Sequence, residues 1–160
     1  MIYILDTCVL RELLNHFPKQ GTYFIKVWEK IEELSGSVIF SVDECYNELE
    51  KQFDSKSKDM AWLNKQKNMF LNPTNEESLT IKSIFTNRKM QESIHLKNIL
   101  ENRPSADVYL VAKAKALNAT IVTIEKLKAN SAQLPNICQL YSVPCIGYEE
   151  FMEILSNMIS

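Results

Sequence analysis

Four carboxylates, Asp6, Glu48, Asp107 and Glu125, each stand where an apolar run meets a polar boundary. Asp6 ends Ile2-Tyr3-Ile4-Leu5, and Glu125 ends Thr120-Ile121-Val122-Thr123-Ile124. Glu48 and Asp107 fall on helical patterns that open after serines, Ser41 and Ser105. In a chain that alternates strand and helix, such positions gather outside the carboxyl ends of the strands, where open α/β sheets bind ligands. Four acids in one pocket repel each other unless a cation sits among them. Ligation by oxygen alone selects hard ions, Mg2+ or Mn2+. Such a cluster could activate water and stabilise a pentavalent phosphorus transition state. The residues therefore point to metal-dependent chemistry on a phosphate. Singly, each acid has a plainer role: Asp6 and Asp107 as capping or dipole-pairing acids, Glu48 as a half-exposed helix residue, Glu125 as a loop acid. The case rests on their recurrence at equivalent edges.

The elements that must position them are legible in outline. Ile2–Leu5 reads as a short buried strand, with Asp6-Thr7 as the N-cap of a helix carrying Val9, Leu10, Leu13, Leu14 and Phe17 as far as Pro18. A helix over about 22–35 follows, closed by Gly36. Val38-Ile39-Phe40 is the next strand, and Ser41 with Glu44 has the spacing of a capping box. The helix it predicts turns Val42, Cys45, Tyr46, Leu49 and Phe53 inward and sets Glu48 at the border of that stripe. Residues 56–103 read as helical and more polar, with Met60, Leu63 and Phe70 on one helix, Leu79, Ile84 and Phe85 on a second, and Met90 to Leu100 on a third. Ser105 is expected to cap a regular helix over 106–118, with Asp107 in its first turn on the core face. A strand over Thr120–Ile124, a short segment near Ile137–Tyr141, a last strand around Pro144–Ile146 and a helix over Tyr148–Ile159 complete the pattern. This order predicts one α/β domain over 1–160: a small central parallel sheet between helical layers, with a helical insert at about 56–103.

Composition narrows the chemistry further. The 160 residues are 46% hydrophobic and 24% charged, ordinary for a globular domain with a real core. No run approaches the roughly 18 apolar residues of a membrane span. The apolar start stops at Asp6, so no signal peptide is expected and a cytoplasmic location is. Cys8, Cys45, Cys138 and Cys145 form no C-x-x-C pair, and they read as buried free thiols rather than a zinc site or disulfide framework. Cys8 at a helix start could be reactive, but nearby carboxylates would raise its pKa, which favours packing. Glycines at 21, 36 and 147 alone leave no P-loop and no G-x-G-x-x-G. A nucleophile elbow is also missing. Net charge is −2, yet residues 56–103 hold nine Lys/Arg against five Asp/Glu, a local +4 that leaves −6 elsewhere. Lys65, Lys67, Arg88 and Lys89 in this stretch are candidate phosphate contacts, although most such lysines simply solvate helix faces.

Four segments in order resemble the PIN-domain nucleases, the VapC-like toxin ribonucleases among them. They are Ile4-Leu5-Asp6-Thr7-Cys8-Val9-Leu10, Ser41 through Asn47-Glu48-Leu49, Ala106-Asp107-Val108-Tyr109-Leu110-Val111-Ala112, and Ala119-Thr120-Ile121-Val122-Thr123-Ile124-Glu125. The ending Val143-Pro144-Cys145-Ile146 is similar to a PIN-like subfamily labelled only as of unknown function. The resemblance implies a PIN-like three-layer α/β/α fold and an Mg2+- or Mn2+-dependent ribonuclease. It further implies the toxin of a bacterial toxin–antitoxin pair, with RNA as substrate, a protein antitoxin as partner and homodimerisation. It maps the acids of the site onto Asp6, Glu48, Asp107 and Glu125, the metal ligands onto Asp6, Glu48 and Asp107, and supporting hydroxyls onto Thr7 and Thr123. Two positions depart from the family pattern: Cys8 replaces a small Asn or Ser, and Glu125 replaces an aspartate. Glu44, one turn before Glu48, competes for the second position; Glu48 is preferred because it directly precedes leucine. Two other readings stay open. One is an inert PIN-like module that binds RNA or protein without cutting, and the other is a small metal-dependent phosphohydrolase acting on a mononucleotide.

Overall fold

The computed structural model describes residues 1–19, 24–87, 106–129, 131 and 133–159. Its centre is a five-stranded sheet, every pairing parallel, with strand order β3-β2-β1-β4-β5. The strands are β1 Tyr3–Leu5, β2 Ile39–Val42, β3 Phe70–Leu71, β4 Thr120–Thr123 and β5 Cys145–Gly147. β1 and β4 are buried at every position, the pattern of strands covered on both faces. Their register pairs Ile4 with Ile121 and Leu5 with Val122, and the Asp6 amide continues the ladder by donating to the Val122 carbonyl at 3.1 Å. The end of β1 is thereby fixed against the end of β4.

Eight α-helices among the described residues cover the sheet: α1 Thr7–His16, α2 Ile25–Leu34, α3 Asp43–Gln52, α4 Lys58–Lys65, α5 Asn75–Thr86, α6 Asp107–Leu117, α7 Leu134–Leu140 and α8 Tyr148–Ile159. α6 lies over β2 and β4 on one face, with α5 and α7 packed against it, while α1, α2 and α8 cover the other. α6 is apolar on nearly every side, and a helix of that kind belongs in the interior. It ends at Asn118, whose left-handed φ of 51° returns the chain at once to β4. The three-layer α/β fold predicted from the alternation is the one observed.

Several local expectations differ. Ser41 does not cap α3. It lies inside β2, its hydroxyl donates to the Leu5 carbonyl at 2.7 Å, and α3 begins at Asp43 with no side-chain cap. A buried serine between two strands gains more from a carbonyl that needs a donor than from a helix start two residues on. The stretch read as wholly helical contains β3, because Phe70 leaves α4 through the single 3-10 turn Lys67–Met69 and pairs with Ser41. On α5, Leu79 and Phe85 face solvent while Glu77 is buried. Glu77 accepts from Lys113 Nζ at 2.6 Å and from Thr74 Oγ1 at 3.0 Å, and Lys113 also donates to the Asn72 carbonyl at 2.7 Å. That ion pair locks α5 onto α6. The helix expected over Met90 to Leu100 and the cap Ser105 lie outside the described residues; Ala106 is the residue before α6.

Candidate active site at the switch between β1 and β4

From β1 the sheet grows outward to β2 and β3 on one side, and from β4 to β5 on the other. The order reverses between β1 and β4, and ligands of open α/β sheets bind outside the carboxyl ends of the strands at such a point. Asp6 follows β1 directly, and Glu125 stands two residues beyond β4. Asp107 opens α6 and Glu48 lies in the middle of α3, both beside this edge.

Asp6 is the hub. It is 6% exposed and sits at the start of α1, yet its carboxylate caps no helix amide. One oxygen, Oδ2, accepts from the Thr123 hydroxyl and from the Cys8 thiol, both at 2.8 Å. Burial pushes the Asp6 carboxyl up to about 6, and the Asp107 charge adds to that. The Cys8 and Thr123 hydrogen bonds pull it back, and Glu125 raises it a little more. Asp6 is therefore held among charges of its own sign. Asp107, 7% exposed, is the strongest of them.

The other two acids are half-buried and tied into the walls. Glu48 Oε2 accepts from the Thr7 hydroxyl at 2.6 Å, which joins α3 to the first residue of α1 beside Asp6. Glu125 Oε2 accepts from the Leu134 amide, the first of α7, at 2.9 Å. Its own amide donates to Thr123 Oγ1 at 3.1 Å. A relay thus runs from the Glu125 amide through Thr123 to Asp6. Thr7 and Thr123, expected as supporting hydroxyls, each hold one of the acids. Glu44 faces elsewhere: the ionic groups acting on it are Asp43, Lys113 and Glu77, and its Oε2 is buried without a hydrogen-bond partner.

Among the described residues no group of three or more Asp, Glu, His or Cys side chains converges in a way that could hold a metal ion. Lys65 and Lys67 are exposed on and just after α4, with Lys67 Nζ 4.8 Å from the Tyr46 ring centroid. Arg88 and Lys89 lie outside the described residues. Cys8, expected to pack and standing where the family pattern has Asn or Ser, is bonded into the site. Its thiol is pushed up to about 12 by burial and by Asp6, and, so protonated, it donates to that carboxylate while accepting from the Ile124 amide at 3.4 Å. The Asp-x-Cys spacing at a helix start was the available signal. No sequence signal marks the Leu134 amide.

Acids brought together at the switch of a five-stranded parallel sheet mark the chain as a three-layer α/β protein with its candidate site at the carboxyl edge. Solved structures agree on the fold. A chain of VapBC2 from Rickettsia felis, crystallised bound to a DNA fragment from their promoter, superposes with a TM-score of 0.58 at 16% identity, over 92% of this chain and 98% of that one. A chain of VapBC-1 from nontypeable Haemophilus influenzae superposes with a TM-score of 0.52 at 16% identity, over 93% and 99%. No curated protein matches the sequence. The chain belongs to the family described as domain of unknown function DUF4411, whose profile matches residues 3–158.

Proposed function

We propose that the chain is a metal-dependent endoribonuclease that hydrolyses phosphodiester bonds of RNA, acting as the toxin of a bacterial toxin–antitoxin pair. The observation that carries this reading is Asp6: a buried carboxylate whose dominant charged neighbours are Asp107 and Glu125. Burial among like charges is costly unless a cation joins them. The donor set fits a hard divalent ion, because Mg2+ needs one or two carboxylates and keeps several waters. Asp6 and Asp107 would hold it, with Glu48 the third ligand if its bond to Thr7 gives way. A bound Mg2+ or Mn2+ would supply charge neutralisation at phosphate and a more acidic water. Thr123 and Cys8 donate to Asp6, Thr7 donates to Glu48, and Glu125, bonded to the Leu134 amide, would serve as the proton acceptor. Lys65 and Lys67, with Arg88 and Lys89, would contact phosphates flanking the scissile bond.

In the same reading the chain is one domain with an insert at about 56–103. The VapBC neighbours support a protein antitoxin as partner, and homodimerisation belongs to the same reading. Among the described residues no helix is long and apolar enough to cross a membrane, and a cytoplasmic toxin is proposed. The purified chain should cut single-stranded RNA in Mg2+ or Mn2+, leave 5′-phosphate ends, and stop on chelation. Asp6→Asn and Asp107→Asn should each lower the rate by about 10²-fold or more, the scale for losing a principal electrostatic element. RNA left intact under every metal, but bound, would turn the reading to a binding module. Two observations favour that second reading: Asp6 Oδ2 already has two donors and Glu125 Oε2 already has one. Release of inorganic phosphate from mononucleotides, with RNA intact, would instead indicate a phosphohydrolase.

A further inference from the structure

Two of the four cysteines share a cavity. Cys138 on α7 is 1% exposed, and Cys145 on β5 is half-buried. Both line a hollow of about 470 Å3 whose wall also includes Thr123, Glu125, Pro135 and Gly147. A tight turn brings them together: the Val143 amide donates to the Cys138 carbonyl at 2.9 Å, and Ser142 takes a left-handed φ of 56°. Each thiol is the largest influence on the other's ionisation. We propose that Cys138 and Cys145 form a peroxide-sensitive dithiol that closes reversibly to a disulfide in the wall of the cleft beside Glu125.

The two positions divide the work as a redox pair requires. An accessible sulfur with thiolate character reacts first, and a neighbouring thiol resolves it. Cys145 is the more exposed of the two, and the neighbouring Cys138 pulls its thiol down against burial and the charges of Asp6 and Glu125, while the buried Cys138 is pushed up. The thiolate of Cys145 attacks one oxygen of hydrogen peroxide and the O–O bond breaks. Hydroxide leaves and takes up the proton Cys145 released, giving water and a sulfenic acid at Cys145. The Cys138 sulfur then attacks the Cys145 sulfur, the S–O bond breaks, and the departing hydroxide takes the Cys138 proton. Two electrons pass to peroxide, and two thiols become one disulfide and two waters. The other cysteines are poor competitors. Cys8 is pushed up to about 12 and donates to Asp6, and Cys45 is fully buried and pushed up further.

Both cysteines follow Lys128, the last Lys or Arg of the chain, and chymotryptic cleavage at Tyr141 separates them. The folded full-length protein is treated with hydrogen peroxide, its remaining thiols are alkylated, and it is digested. The expected result is loss of two of four free thiols and a disulfide joining the fragments on either side of Tyr141, reversed by dithiothreitol. Cys145→Ser should keep its remaining thiols. Cys138→Ser should leave a sulfenic acid at Cys145 that dimedone traps. Should Cys138→Ser not fold, the Cys145→Ser arm and the wild-type linkage decide alone. Four thiols surviving peroxide, or a disulfide that includes Cys8 or Cys45 or joins two chains, would overturn the proposal. Neither outcome depends on nuclease activity.

Discussion

Helix α6 carries two buried ionisable groups, Asp107 in its first turn and Lys113 two turns on, and their surroundings differ. Around Lys113 the chain supplies what a buried charge needs. Glu77 is 2.6 Å away, the Asn72 carbonyl is 2.7 Å away, and Thr74 donates to the same Glu77 oxygen. Asp107 instead acts on Asp6, and the effect is repulsive. Asp6 itself has neutral donors, a thiol and a hydroxyl, and carboxylates as its charged neighbours. One region offsets its burial cost internally. The other raises the Asp6 carboxyl, a cost that an added cation or proton relieves, which is how perturbed groups at functional sites differ from structural ion pairs.

That contrast is broken most severely at Lys113. Lys113→Met should destabilise the fold by about 3–5 kcal/mol, because Glu77 would remain as a buried, unpaired charge. Adding Glu77→Leu should recover most of that loss, since a well-packed apolar pair often replaces a buried ion pair at little cost. Urea denaturation of the single and double variants measures both, and a single-variant loss below about 1 kcal/mol, the range of a surface pair, contradicts a buried clamp. At Asp6 the sign reverses. Asp6→Asn should raise the stability of the metal-free protein at pH 7 while abolishing cleavage, because it removes a repelled charge and keeps the shape. Equal destabilisation in both regions would erase the distinction.

The pH dependence follows from the raised Asp6 carboxyl. Its ordinary value is 3.8 and its folded value about 6, so between them the folded state binds more protons than the unfolded. Stability contributed at this site therefore falls as pH rises from about 4 to about 6, by roughly 3 kcal/mol at most. Asp6→Asn should flatten that slope. Saturating Mn2+ should offset it above pH 6, raising wild-type stability by about 2.7 kcal/mol at a hundred times the dissociation constant. Thermal melts across pH, with and without Mn2+, read both effects. A wild-type response to Mn2+ no larger than that of Asp6→Asn would end the case for a cation at this edge.

How much of this was legible depended on the length and periodicity of each element. β1, β4, α6 and α8 are marked by uninterrupted β-branched or apolar patterns and were read to within a residue or two. Asp6 and Asp107 came with them, because each sits at the break in such a pattern. β3 was hidden, since two residues carry no period and only pairing with β2 makes Phe70–Leu71 a strand. Ser41 matched a capping box in sequence, but its partner, the Leu5 carbonyl, lies 36 residues away. The inward face of α5 is legible only in part: Ile84 is buried as its pattern predicts, but Glu77 looks like a solvent residue until Lys113 is placed beside it. Local chemistry was readable, and partners supplied by the tertiary fold were not.

The smallest expected effect tests the fine structure of the acid edge. Thr123 donates to Asp6 and accepts from the Glu125 amide, whereas Cys8 donates to the same Asp6 oxygen from the first turn of α1. Thr123→Val keeps the shape and removes the relay, so it should cost about 1 kcal/mol. It should also move the acid limb of the cleavage profile upward, because Asp6 loses a hydrogen bond that lowers its pKa. Cys8→Ser retains a donor and should leave that limb in place, while Cys8→Ala should move it in the same direction as Thr123→Val. The decisive comparison is between Cys8→Ser and Cys8→Ala, since both remove sulfur and only one removes the donor. If the two profiles coincide, the thiol's bond to Asp6 contributes nothing to the charge of that carboxylate, and Thr123 alone orients it.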